Sequence, residues 1–280
     1  MYNFKALHYA DGSVQSRFYS HTVHTGKKEI VNKREYIENP FDGEEVEVVH
    51  DFDELERREE RARHVSRNRT IQNIYNYARS NKWEFFVTLT FNPDKVNRFD
   101  YGECTRKLSQ WLKNMKKQFP DMIYLMVPEL HLGQKSETDA EGNHAWHFHG
   151  LMSGISDCME FSGHFTKAKQ PVYNIGKYNY GWSTATEVET HEAACKYLTK
   201  YITKDLCEVT KGRKRYWVSR NCKKPIEETR CLTYSESDSL YNELLEDAQE
   251  VKIVEADCGL EKRMVIYVES KETVFYFPDE

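Results

Sequence analysis

The chain has 280 residues, of which 39% are hydrophobic and 13% aromatic, enough to build a sizeable folded core. It contains no run of 18 apolar residues, and its N-terminus lacks the charged-then-apolar order of a signal peptide, so we expect a cytoplasmic protein with no membrane partner. Seven cysteines are scattered without a C-x-x-C pair, which fits a reducing compartment and argues against structural zinc.

The net charge of −5 conceals a strong asymmetry along the chain. Residues 52–225 hold 29 basic and 21 acidic side chains, whereas residues 226–280 hold 5 and 15. Because the local field matters more than the total charge, the basic middle is compatible with a polyanionic partner. We predict an N-terminal hairpin and acidic connector over 1–52, a central domain over 53–225 and an acidic C-terminal extension over 226–280.

Hydrophobic periodicity, turn residues and β-branched runs predict the order of elements. In chain order they are a hairpin around Asp11-Gly12, a helix over 53–80, a strand at Trp83–Phe91, a helix at Tyr101–Gln118, strands at Met122–Leu130 and Trp146–Met152, a loop with a short strand within Tyr173–Val188, a helix over Glu189–Leu206, a helix near Ser235–Gln249, and two strands at "MVIYVE" and "TVFYF". The pair at 122–130 and 146–152 is expected to be antiparallel. Alternation in the first strand sends Phe86, Thr88 and Thr90 to one face, which is polar enough to meet a ligand.

The stretch "HAWHFHGLM" raises the possibility of a metal site. Alternation puts His147 and His149 on one face of a strand, where two imidazoles can share a cation, although such a pair is more often incidental. Glu129 on the preceding strand joins them if the two strands pair about the middle of their loop; otherwise it is a salt-bridged strand end. A His/His/carboxylate set with open positions suits Mg²⁺ or Mn²⁺. His131 is a reserve ligand, and His144 is expected to face away.

A second group of polar residues lies in "KYLTKYITKD", Lys196 to Asp205. On one continuous helix, Tyr197 and Tyr201 form an i, i+4 pair, and so do Lys200 and Lys204. Tyrosines at this spacing usually serve packing, but here Leu198 and Ile202 supply a separate apolar stripe. The phenols are therefore available for nucleophilic attack on a phosphate, assisted by metal and lysine.

These residues resemble the HUH endonucleases, specifically the rolling-circle replication initiators of phages and plasmids. "FVTLTF" (86–91) looks like the first motif of that family, "HFH" (147–149) like its HUH motif, and "YLTKYITK" (197–204) like its two-tyrosine third motif. The resemblance covers roughly residues 60–225 and leaves both flanks without a counterpart.

The resemblance implies an α+β fold, a ferredoxin-like or RRM-like palm with a central antiparallel sheet and helices on one face, plus N- and C-terminal extensions. It also implies a bacterial host cell, nucleoid association, and a Mg²⁺- or Mn²⁺-dependent nick in single-stranded origin DNA. Tyr197 or Tyr201 would form a 5′-phosphotyrosine link and free a 3′-OH primer, and Lys200 and Lys204 would stabilise the charge. No helicase motif occurs, so a host helicase and replication machinery would be partners.

The predicted DNA-binding residues are polar or aromatic. The segment 211–225 carries seven basic residues and no acidic one, and the alternative interpretation is an ordinary solvated loop. The candidates are Thr88, Thr90, Arg213, Lys214, Arg215, Trp217 and Arg220. Trp182 is either a base-stacking residue or a buried one. Two alternative functions stay open: a relaxase or single-strand transposase with the same core, and a non-catalytic RRM-like nucleic-acid-binding module.

Overall fold

A computed structural model describes residues 1–26, 36–38, 43–47, 52–131, 138–257 and 262–271. The predicted strand "TVFYF" lies outside these residues. The strands are β1 (Tyr2–His8), β2 (Ser13–Val23), β3 (Tyr36–Glu38), β4 (Glu45–Glu47), β5 (Phe85–Leu89), β6 (Ile123–Leu130), β7 (Trp146–Ser153), β8 (Met159–Phe165), β9 (Pro171–Ile175), β10 (Ser183–Glu187), β11 (Trp217–Val218), β12 (Ile226–Arg230), β13 (Ala248–Asp257) and β14 (Lys262–Lys271). The α-helices are α1 (Phe52–Arg79), α2 (Tyr101–Gln118), α3 (His191–Thr199), α4 (Lys204–Val209) and α5 (Tyr234–Glu246).

The chain divides into two compact units, one formed by residues 1–8, 12–66 and 226–280 and the other by 9–11 and 67–225. The first unit contains a five-stranded sheet in the order β12-β1-β2-β14-β13. The predicted hairpin of β1 and β2 is confirmed, and the predicted helix near 235–249 and strand "MVIYVE" correspond to α5 and β14. Phe4, Phe18 and Leu244 belong to its buried core.

The second unit contains a seven-stranded sheet in the order β11-β6-β7-β5-β10-β9-β8, in which every paired strand is antiparallel. The predicted α+β class with a central antiparallel sheet is confirmed. α2 has the predicted bounds, and its six buried residues recur at helical spacing. It begins where the Asp100 carboxylate accepts a hydrogen bond from the Glu103 backbone at 3.0 Å.

Alternation on β5 follows the prediction and gives this sheet two different faces. Val87 and Leu89 are fully buried in the core, whereas Phe86 and Thr88 are only half-buried. β7 lies between β6 and β5, so its residues meet partners on both sides. The half-buried face of these three strands therefore carries the polar residues singled out above.

One continuous helix over Glu189–Leu206 was the wrong prediction. α3 ends at Thr199, and α4 begins at Lys204, after Thr203 turns into an extended conformation. The Thr203 hydroxyl accepts a hydrogen bond from the Leu206 backbone at 3.1 Å, which starts a new helix. The β-branched Thr199, Ile202 and Thr203 have low helix propensity, so this cap prevails over continuation.

The segment after Gly154 contains more strand than predicted. β8 and β9 precede the expected short strand, which is β10. β8 is an edge strand whose side chains are mostly exposed, and its register shifts around Gly163, where φ is 82°. Exposure and this bulge remove the apolar alternation by which a strand is recognised in sequence.

Gly150 on β7 allows the strand to pack closely against β6. A Cβ placed there would lie 2.2 Å from the Met126 sulfur and 2.6 Å from the Leu125 carbonyl oxygen. Since backbone cannot yield as a flexible side chain does, even one methyl group requires the two strands to shift.

We therefore expect Gly150→Ala to lower the free energy of unfolding by about 1–3 kcal/mol, measured by chemical denaturation. Gly102→Ala is the matched control, because its Cβ would meet a single side-chain oxygen of Asp100 at 3.1 Å. Equal free energies of unfolding for the two variants would contradict this account of Gly150.

Candidate functional site

The pairing of β6 with β7 brings the predicted acidic and imidazole ligands together. Glu129 lies directly opposite His147, and Val127 lies opposite His149. The Glu129 carboxylate also reaches diagonally to His149, with 2.6 Å between its Oε2 and the histidine Nε2. The loop between the strands is long, yet Glu129 lies on the predicted face beside both histidines.

The other ring nitrogen of His149 is held by β5. Thr88 lies opposite His149 in register, and its Oγ1 is 3.0 Å from Nδ1. A carboxylate only accepts hydrogen bonds, so Nε2 carries the proton shared with Glu129, and in the neutral ring Nδ1 accepts from the Thr88 hydroxyl. Thr88, predicted to contact DNA, is thus placed where it orients a histidine.

The protonation states in this cluster have clear physical causes. Burial alone would raise the pKa of Glu129, but the hydrogen bond from His149 and the neighbouring imidazoles outweigh it and lower that pKa. Burial, together with the adjacent His131, lowers the pKa of His147 to about 4. The His131 and His147 rings stack at a centroid distance of 4.8 Å. At neutral pH the cluster therefore offers a carboxylate and a neutral imidazole, the forms that bind metals.

By residue type, Glu129, His147 and His149 fit a divalent cation with open positions. Within the described ranges, however, no three His, Cys, Asp or Glu side chains converge closely enough to hold an ion as they stand. The direct hydrogen bond between Glu129 and His149 occupies the atoms that an ion would need. Ligation through these two groups therefore requires that hydrogen bond to open.

Both predicted tyrosines lie beside this cluster despite the break in the helix. The Tyr201 ring is stacked on His149, with centroids 3.9 Å apart and planes 5° apart. Tyr197 packs edge to face against Tyr201 at 5.4 Å and is 47% exposed. The turn that carries Tyr201 is held where the Arg67 guanidinium donates to the Ile202 carbonyl at 3.0 Å.

The two phenols differ in their surroundings. Burial, a side-chain hydrogen bond with Tyr197 and the negative charges of Tyr197 and Glu129 raise the pKa of Tyr201 well above its ordinary value. Tyr201 is therefore a neutral phenol at neutral pH. Its ionisation requires a new positive charge nearby.

The two predicted lysines are both exposed but differ in position. The Lys200 ammonium lies 5.4 Å from the centroid of the Tyr197 ring. Lys204 is the first residue of α4, beyond the break, so the predicted stacking of the two lysines on one helix face is wrong. Of these two, Lys200 is the lysine that contacts a candidate nucleophile.

The predicted DNA-binding residues of segment 211–225 divide into different environments. Trp217 is 6% exposed and packs against Phe148 in the core, so its ring is not available for base stacking, contrary to the prediction. Arg215 donates to the Thr210 hydroxyl and the Cys207 carbonyl, which gives it a structural role. Arg213, Lys214 and Arg220 are exposed.

Two aromatic residues near β5 have contrasting exposure. Trp182 is 78% exposed, and its backbone is hydrogen-bonded to the backbone and hydroxyl of Thr90 at 2.9–3.3 Å. This settles the alternative for Trp182 in favour of an exposed ring. Phe86, to which we assigned no role, lies 6.1 Å from the His149 ring and 5.4 Å from the Tyr197 ring. Its shared alternation with Thr88 was the available signal.

Comparison with known protein families supports a role in replication. Residues 84–206 match the family model described as "Replication-associated protein ORF2". The match contains the ligand candidates and both tyrosines, and it indicates a replication-associated protein, consistent with a rolling-circle replication initiator. Searches of curated proteins and of solved structures found no significant match. Among the described helices, none has the length and apolar character needed to cross a membrane.

The low pKa of His147 predicts a pH dependence of stability. The unfolded chain binds a proton at this residue near its ordinary pKa of about 6.5, whereas the folded protein does so only near pH 4. The free energy of unfolding should therefore fall as the pH is lowered from about 6.5 to about 4.

Urea denaturation at several pH values measures this dependence, and His147→Gln should flatten it within that window. His164→Gln, at an exposed histidine of β8, is the control and should retain the slope of the unchanged protein. An unaltered slope in His147→Gln would contradict the assignment.

Proposed function

We propose that this protein is a replication initiator of the HUH type, which nicks single-stranded origin DNA through a tyrosine and later religates it. The observation that carries the proposal is the stacking of Tyr201 on His149, with Tyr197 against Tyr201. It places two phenols next to a carboxylate and imidazoles of metal-binding type. The match over residues 84–206 to replication-associated proteins supports the same function.

In this proposal, Glu129, His147 and His149 hold Mg²⁺ or Mn²⁺, which when bound polarises the scissile phosphate. Thr88 orients the His149 ring through Nδ1, as outer groups commonly do for metal-ligating histidines. Opening of the hydrogen bond between Glu129 and His149 frees both groups for ligation. A cation at this position also lowers the pKa of the neighbouring Tyr201 phenol.

The phenolic oxygen of Tyr197 or Tyr201 then attacks the phosphorus and loses its proton. The bond from phosphorus to the 3′ oxygen breaks, and that oxygen takes up a proton to become the 3′-OH primer. The 5′ phosphate stays on the tyrosine, so the energy of the phosphodiester is retained for religation. Lys200, close to Tyr197, stabilises the negative charge that develops on the phosphate. The second tyrosine provides for a second cut after one round of synthesis.

Covalent adduct formation tests this chemistry. Incubation with Mn²⁺ and a single-stranded DNA pool carrying a randomised central segment should give an SDS-resistant protein–DNA adduct. The double variant Tyr197→Phe/Tyr201→Phe should form none, because a phenyl ring has no oxygen to attack phosphorus.

Tyr173→Phe is the matched control, because this phenol lies on β9 with its hydroxyl 3.4 Å from Glu187. It should leave adduct formation unchanged. Binding of the DNA pool without any adduct would instead support a non-catalytic nucleic-acid-binding module. Adduct formation that persists in the double variant would overturn the tyrosine mechanism.

Metal binding is tested separately from nicking. Mn²⁺ should raise the thermal midpoint of the protein, since a ligand that binds only the folded state stabilises it. His149→Ala should abolish that increase and reduce nicking by at least roughly 10–100-fold, the range for weakened metal sites, while DNA binding is retained. His164→Ala should preserve both responses. A Mn²⁺-induced increase that survives in His149→Ala would exclude this residue as a ligand.

A further inference from the structure

A pocket of about 530 Å³ lies beside Tyr197, within the second unit. Its walls come from β5, from the end of β10 and the residues after it, from α3, and from the turn before β9. This volume lies within the range of about 300–1,000 Å³ typical of sites that enclose a small organic group. The pocket therefore has room for one planar ring beside a candidate nucleophile.

The lining of this pocket combines an apolar surface with a few polar groups. Phe86, Val188 and Ala193 form its apolar part, and the half-exposed Tyr197 ring borders it. Phe86 and Tyr197 are themselves in edge-to-face contact at 5.4 Å. Aromatic and apolar walls of this kind bind an unstacked nucleobase through its faces.

Gln170 supplies a polar group suited to reading the edge of a base. It lines the pocket and is half-buried, and among the described residues its side-chain amide has no hydrogen-bond partner. The backbone of Gln170 is held by two hydrogen bonds to Thr166, of 2.8 and 3.1 Å. An anchored backbone with an uncommitted, half-buried amide is the arrangement expected of a recognition residue rather than a structural one.

Lys200 completes the features of a nucleotide site. This exposed lysine both lines the pocket and contacts the Tyr197 ring. A phosphate next to Tyr197 would thus lie beside a cation, and the base attached to that nucleotide would be within reach of the pocket. The pocket and the candidate nucleophile therefore suit two parts of the same DNA strand.

We propose that this pocket binds one unstacked base of single-stranded DNA next to the scissile phosphate, and that the Gln170 amide selects adenine there. Glutamine recognises adenine by donating to N7 and accepting from N6, whereas a carboxylate at the same place accepts from N4 of cytosine. The inference rests on the proposed nicking function and adds a determinant of which site is cut.

Sequencing the DNA joined to the protein from the randomised single-stranded pool tests the selection. The unchanged protein should show a preference for adenine at one position adjacent to the cut. Gln170→Ala should reduce that preference by about tenfold and leave the other positions unchanged, and Gln170→Glu should shift it to cytosine. Adducts whose base preferences are identical in all three proteins would overturn the role of Gln170.

Binding of short fluorescent oligo-dA and oligo-dT, followed by anisotropy, tests the pocket without requiring any nicking. Ala193→Leu places a larger side chain in the pocket from an exposed position of α3 and should weaken oligo-dA binding by about tenfold. Ala168→Leu makes the same change at an exposed turn residue that does not line the pocket, and it should bind as the unchanged protein does.

The two measurements separate the failure of this inference from that of the proposed function. If no protein forms an adduct but Ala193→Leu alone loses oligo-dA affinity, the nicking proposal fails and the pocket stands as a DNA-binding site. If adducts form and Ala193→Leu binds oligo-dA as tightly as Ala168→Leu does, the pocket proposal fails. Circular dichroism of each variant confirms that the comparison is between folded proteins.

Discussion

The register of β7 between β6 and β5 is the constraint on which the candidate site depends. It places Glu129 opposite His147 and Thr88 opposite His149, so that three strands contribute to one cluster. Because side chains alternate on a strand, a shift by one residue would send both histidines into the core. Gly150 allows close approach of the backbone at this point and thereby helps to maintain the register.

The break between α3 and α4 has a functional meaning in this arrangement. It puts Tyr201 in a turn, where its ring lies flat on His149, while Tyr197 stays on the preceding helix. The aliphatic residues of the same segment, Leu198 and Ile202, are fully buried and anchor the turn in the core. Packing and chemistry are thus carried by different residues of one short stretch.

Predictability from the sequence differed between residues for identifiable reasons. Alternation and helical spacing identified the faces of β5 and α2, because each element buries one side against the core. Trp217 shows the limit: a tryptophan among basic residues looks like a stacking residue, yet its ring fills a space beside Phe148. Composition describes the solvent-exposed neighbours of a residue, whereas burial depends on strands that are distant in the chain.

The sequence by itself determined the types and order of the reactive groups, the antiparallel pairing of β6 with β7 and the common face of His147 and His149. These follow from local periodicity, which needs only neighbouring residues. The tertiary structure alone decided the stacking of Tyr201 on His149, the break before Lys204 and the pocket around Gln170. Each of these depends on contacts between segments far apart in the chain, whose geometry is set when the sheet and helices pack.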